Sequence, residues 1–290
     1  VPPVFFISKE RAMRVHNKPI RSYLVAAAVA VAAACSAKPA FATLLAYEPF
    51  NQTNTVNDGY PNDGSSIDGQ PAGQSGFTGN YYGDYQAGIE TGSLTYPMVT
   101  SEGNKLGTQN GNQGSFYATA LLNTDSGGPF DSYLESSGGA NTSGNNIGAG
   151  GTTLYFSFLY AGGAADSPSG GINFLRDSDN GNQSGILNVN VTATTVEPTA
   201  SLYIGEIQFG SGDSDTFYAG IDPTSPSDLT EVGTGNYSFD RVEFVGTSDF
   251  KFDEFRVGSA YSDVAPVPEP TSLALLGLGS LGLFVRRRHA

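Results

Sequence analysis

Thr153-Leu154-Tyr155-Phe156-Ser157-Phe158-Leu159-Tyr160 is the stretch that decides the fold class. Leu154, Phe156, Phe158 and Tyr160 fall at every second position, so on an extended backbone all four project to one side. The same period of two recurs downstream. Leu202, Ile204, Glu206 and Gln208 oppose Tyr203, Gly205, Ile207 and Phe209. Tyr237, Phe239, Arg241, Glu243 and Val245 oppose Ser238, Asp240, Val242 and Phe244. Further strands are expected over residues 44–50, 94–100, 115–122, 171–176, 185–191, 216–221 and 250–258, separated by clusters of Gly, Asn, Asp and Pro. No segment of the body carries a convincing 3.6-residue period. The expected class is all-β, an antiparallel sandwich. Residues 51–92 and 125–151 are read as strand-poor loops, long enough to carry function or cover a sheet edge. No internal repeat of the kind that builds a propeller or solenoid is evident.

Composition bounds the partners. Of the 290 residues, 38 are Gly and none is Trp, and the formal charge is −14. Between residues 43 and 266 stand 26 Asp and Glu against five Lys and Arg (Lys105, Arg176, Arg241, Lys251, Arg256), a formal −21. Nucleic-acid binding draws most of its affinity from basic side chains on phosphates, so no nucleic-acid partner is expected. The single cysteine, Cys35, and both histidines, His16 and His289, lie in the two end segments. Residues 43–266 therefore hold no thiol and no imidazole. That removes Ser-His-Asp and Cys-His catalysis and most zinc chemistry.

The ends differ from the body. Arg14, His16, Lys18 and Arg21 precede an apolar run over 23–34, and Pro39-Ala40-Phe41-Ala42 follows. A basic region, a short apolar region and small residues at Ala40 and Ala42 make a secretory signal cleaved by signal peptidase. On this reading translation starts at Met13, and residues 1–42 form a leader region containing a signal helix. A permanent membrane anchor would want a longer apolar run. At the other end, Val267-Pro268-Glu269-Pro270 is followed by an apolar stretch over 271–285 and by Arg286-Arg287-Arg288. The stretch is shorter than the ~20 residues that span a bilayer comfortably, and the arginines hold its end on the cytoplasmic side. It reads as a short transmembrane helix that inserts transiently.

That order of parts resembles the PEP-CTERM sorting tails. The resemblance implies recognition by an exosortase-type membrane protease near Pro268-Glu269-Pro270, a Gram-negative envelope and an exopolysaccharide-producing lifestyle. It places the protein as exported, in the cell envelope or extracellular matrix, tethered to the membrane before processing. The chain then divides into a leader (1–42), a body (43–266) and a sorting tail (267–290).

The body has a resemblance of its own. Leu44-Leu45-Ala46-Tyr47-Glu48-Pro49-Phe50 is similar to the opening strand, and Phe252-Asp253-Glu254-Phe255-Arg256-Val257-Gly258 to the closing strand, of the concanavalin-A-like lectin/glucanase superfamily of jelly rolls. It implies a laminin-G-like sandwich and, in function, a carbohydrate binder, a glucanase or a protein without activity. Glucanases of that superfamily carry a Glu-x-Asp-x-x-Glu strand, and no Glu of the body is followed two residues later by Asp. Asp253 and Glu254 are adjacent, so a regular strand would send them to opposite faces; a strand-edge pair or a bulge linked to Arg256 is their plain reading. No catalytic residue is assigned.

Two ligand readings remain. Asp177-Ser178-Asp179-Asn180 offers closely spaced oxygens, making Asp177, Asp179 and Asn180 the candidate calcium ligands, with Asp213-Ser214-Asp215 a weaker set. The spacing is not that of an EF-hand, and solvated Asx turns are the alternative. Tyr81, Tyr82 and Tyr85 cluster in a Gly-rich segment, where they either stack on sugar rings or pack a loop onto the sandwich. The expectation is a non-catalytic exported protein with one sandwich domain that binds carbohydrate weakly. The alternatives are an atypical glycoside hydrolase and a purely structural matrix component.

Overall fold

The computed structural model describes residues 43–52, 66–73, 75–84, 86–97, 99, 101, 103–108, 114–135, 145–163, 168–177, 183–211, 214–247 and 249–265, without the side chains of 177 and 183–186. Among these residues are thirteen strands: β1 (Leu44–Glu48), β2 (Phe77–Gly83), β3 (Ala87–Thr91), β4 (Asn104–Thr108), β5 (Ser115–Leu122), β6 (Thr153–Ala161), β7 (Ser169–Asp177), β8 (Gln183–Thr192), β9 (Ser201–Gln208), β10 (Asp215–Ile221), β11 (Thr230–Gly235), β12 (Arg241–Thr247) and β13 (Lys251–Gly258). A single helical turn, α1 (Tyr261–Val264), follows. The leader, with its expected signal helix, and the tail, with its expected membrane helix, lie outside the described residues. Among the described residues no helix is long and apolar enough to cross a membrane.

The strands make two antiparallel sheets. One runs β11-β10-β9-β6-β13-β4-β3, with β1 also paired to β13; the other runs β2-β5-β12-β7-β8. The inner faces meet in one core, as in any sandwich of two half-apolar sheets. Leu154, Phe156, Phe158 and Tyr160 are all inside it, as the alternation requires. Phe156 of one sheet meets Phe174 of the other edge-on, ring centroids 4.8 Å apart, and stacks on Phe217 at 6.0 Å. Gly205, paired with Phe156 in the ladder, leaves room for that ring; a Cβ there would run into it.

A second apolar cluster lies outside the larger sheet. Leu159, Ala161, Leu202 and Ile204 point away from the core, yet they are buried under Leu94, Leu229, Val264 and Ala265. β6 thus buries residues of both parities, because it is covered on both sides.

The sandwich corrects several expectations. The interval 51–92 holds β2 and β3, so it is not free of strands. The described residues of 94–100 make isolated bridges at Thr95, Tyr96 and Val99 and no strand; Leu94 caps the second cluster. Residues 237–240 lead into β12 without joining it. The interval 125–151 does lack strands among its described residues, carrying a 3-10 turn at Asp131–Tyr133.

Candidate functional site

The outer face of the five-stranded sheet is where the molecule leaves polar and aromatic groups together. Register places Tyr82, Thr119, Glu243, Asn173 and Asn188 side by side across β2, β5, β12, β7 and β8. The next row outward-facing is Tyr117, Val245, Gly171 and Asn190. Gly171 puts no side chain in that row. A groove of about 390 Å³ is lined by Asp84, Tyr117, Asn190, Glu243, Val245 and Thr247 among others.

Glu243 is held from both sides. Asn173 Nδ2 donates to one carboxylate oxygen at 2.9 Å, and Thr119 Oγ1 to the other at 3.3 Å. Among the described residues no cation pairs with it. Asp84 sits at the end of β2, where its Oδ1 accepts the N–H groups of Gln86 and Ala87, both at 3.0 Å. Burial pushes its carboxyl above the usual range despite those donors. Tyr82 is 63 % exposed, and its ring lies 6.4 Å from that of Tyr117. Burial, then Tyr82, Asp84 and Glu243, raise the Tyr117 hydroxyl, keeping it a neutral donor. Aromatic faces beside carboxylate and amide groups suit sugar rings: the apolar side of the ring stacks, and the hydroxyls find acceptors and donors.

The three tyrosines expected as a cluster part company. Tyr81 and Tyr82 lie on β2, not in a loop, and project to opposite faces. Tyr81 is 2 % exposed and donates its hydroxyl to Glu48 at 2.6 Å, so its ring cannot meet a ligand. Tyr85 lies outside the described residues. Of the calcium candidates, Asp177 ends β7 with its side chain outside the description, as are Asp179 and Asn180. Asp215, from the weaker set, is structural: its two oxygens accept the N–H groups of Gly210 and Tyr237 at 2.8 and 2.6 Å. Among the described residues no three acidic, His or Cys side chains gather as metal ligands do.

Three carboxylates, Glu48, Asp253 and Glu254, are spent inside the fold. Glu48, fully buried, accepts from Phe50 N–H, Gly73 N–H, Tyr81 and Gln52; burial still pushes it up. Asp253 and Glu254 do form a bulge, where β13 exchanges β4 for β1 as neighbour, and Glu254 has φ +53°. The strand is central, which corrects the edge placement, and the bulge turns the two carboxyls to different partners. Glu254 takes Arg256 at 2.8 Å and the Tyr47 hydroxyl. Asp253 accepts from Leu94 N–H at 2.8 Å, and burial pushes it up to about 8.

Tyr117, Glu243, Asn173 and Asn188 were not singled out by sequence. Parity within residues 115–122, 171–176, 185–191 and 241–245 does turn them outward, but only the pairing of strands distant in sequence brings them together.

No curated protein matches the chain. Among solved structures, an endo-β-1,4-glucuronan lyase from Trichoderma reesei is similar at 12 % identity, covering 77 % of this chain and 99 % of that one, with a TM-score of 0.35. The CBM22-1 xylan-binding domain of Paenibacillus barcinonensis Xyn10C is similar at 10 % identity, covering 77 % and 97 %, with a TM-score of 0.35. A C-terminal family 22 carbohydrate-binding module of Clostridium thermocellum gives 16 % identity, 69 % and 94 % coverage and a TM-score of 0.31. Residues 266–288 match the PEP-CTERM protein-sorting motif, which implies an exported protein that is held at the membrane and processed by an exosortase.

Proposed function

We propose that the body is a non-catalytic, polysaccharide-binding jelly roll of the concanavalin-A-like kind, delivered to the cell surface or matrix by its tail. Its binding site is the outer face of the five-stranded sheet: the groove lined by Tyr117 and Glu243, with Tyr82 and the rest of the polar row beside it. The observation that carries this reading is the exposed Tyr82 beside Tyr117, next to the row Thr119, Glu243, Asn173 and Asn188. On an acidic body, groups that stack on and hydrogen-bond to hydroxylated rings are gathered on the outer face of the five-stranded sheet. Glu243 and its neighbours accept and donate to ring hydroxyls, while the tyrosines cover a ring face.

Affinity electrophoresis of residues 43–266 against a polysaccharide panel, with and without millimolar calcium, tests it. Retardation by at least one polysaccharide supports the reading, and free migration in all of them contradicts it. A gain on adding calcium would support Asp177, Asp179 and Asn180 as calcium ligands. The hydrolase reading survives through one observation: Asp84 and Glu243 line the same groove, as a pair of catalytic carboxyls would. Release of reducing ends, abolished by Glu243→Gln, would favour it over binding alone.

A further inference from the structure

The described residues run up to Ala265, next to the start of the sorting motif. The motif starts at residue 266, and the residues before it are fastened to the outer face of the larger sheet. Val264 is 2 % exposed and Ala265 7 %, both in the second apolar cluster with Leu159 and Leu202. Ser157 on β6 donates its hydroxyl to the Val264 carbonyl at 2.8 Å. The Tyr261 ring meets Tyr155 edge-on at 6.3 Å, and its hydroxyl donates to the Pro223 carbonyl at 3.0 Å. Asp263 closes the turn by accepting the Ala260 N–H at 2.8 Å.

Five residues, 266–270, separate Ala265 from the start of the apolar stretch at Thr271. Fully extended they reach only ~18 Å. A protein that grips a peptide commonly takes it as an extended segment of several residues, pairing with its backbone. Upstream of Pro268-Glu269-Pro270 those residues are the helical turn and its buried C-terminal end. We infer that α1 is a latch on tail processing: the protease acts on the minor state in which α1 has lifted off β6 and β13. Opening a terminal segment costs much less than unfolding the domain, so the latch slows cleavage without preventing it. The folded body thus stays anchored for a time before release. Its groove, on the opposite sheet, faces away from the latched side.

Pulse-chase labelling of the full chain in its own host reads the rate of tail removal. Val264→Ala and Ser157→Ala loosen α1; a flexible Gly-Ser insertion after Ala265 moves the motif clear of it. Val189→Ala, in the core side of the five-stranded sheet, weakens the domain without touching α1. The latch predicts that Val264→Ala speeds cleavage about tenfold, the effect of the lost burial on local opening. The insertion speeds it as well, and Val189→Ala leaves it unchanged. Equal rates in all chains would overturn the latch, and so would acceleration by Val189→Ala matching that of Val264→Ala. A wild-type chain that never loses its tail would contradict processing itself, a result distinct from unaltered rates.

Discussion

The two sheets share one core but treat their outer faces in opposite ways. The larger sheet turns Leu159, Ala161, Leu202 and Ile204 outward and covers them with Leu94, Leu229 and α1. The smaller sheet turns Glu243, Asn173 and Asn188 outward beside the buried Thr119, adds Tyr82 and Tyr117, and leaves Tyr82 and Asn188 exposed. The same strand geometry therefore serves two ends. One outer face is a second layer of core that fixes the tail. The other is a surface whose polar groups stay available. Carboxylates divide the same way: Glu48 and Asp253 are satisfied inside the fold, and Glu243 is held ready at the groove.

That contrast can be broken at several points. Leu159→Ala empties a fully buried site on the covered face and should destabilise the body by about 2–5 kcal/mol in urea unfolding; an effect near zero would mean the face is not a true core layer. Glu48→Ala strands the Tyr81 hydroxyl and two backbone N–H groups, for a loss of about 3 kcal/mol by the same measurement. Asp253 sharpens the contrast through pH. Its folded carboxyl is raised to about 8 by burial, against about 4 in the unfolded chain. Its contribution to stability is complete below about pH 4 and is lost as pH rises through about 8, because the unfolded chain then releases a proton that the folded one keeps. The slope is at most about 1.4 kcal/mol per pH unit. Glu48, also raised by burial, adds a slope of the same sign. Asp253→Asn should flatten the profile, and an unchanged profile would remove Asp253 as its source. On the open face, Tyr82→Ala should move stability by no more than about 0.5 kcal/mol while lowering polysaccharide retention.

Much of this was legible in the residues. β6, β9 and β12 announce themselves by alternation, and residues 44–50, 115–122, 171–176, 185–191, 216–221 and 250–258 fall on further strands, but the cover over the second side of β6 does not show in Thr153, Tyr155 and Ser157. β2, β3 and β11 escape because they are edge strands, with few apolar residues to alternate and glycine at Gly79, Gly88 and Gly233. β4 escapes for its shortness and its single buried aliphatic, Leu106. Residues 94–100 mislead in the other direction: Leu94 is apolar because it caps a sheet, and burial needs no strand. The site was half visible. Outward parity marks Glu243 and Tyr117 separately, but their meeting with Tyr82 depends on strand order, which local pattern does not encode. Tyr81 and Tyr82, adjacent in sequence, could only be told apart once β2 was known to be a strand.

The account rests on the open face of the five-stranded sheet as a binding surface. The most direct measurement is affinity electrophoresis of residues 43–266 beside a Tyr82→Ala/Tyr117→Ala variant, with unfolding midpoints recorded for both. The account predicts that a polysaccharide retards the unaltered body and not the variant, at closely similar midpoints. Equal retardation of both would place binding elsewhere, and retardation of neither by any polysaccharide would contradict the account.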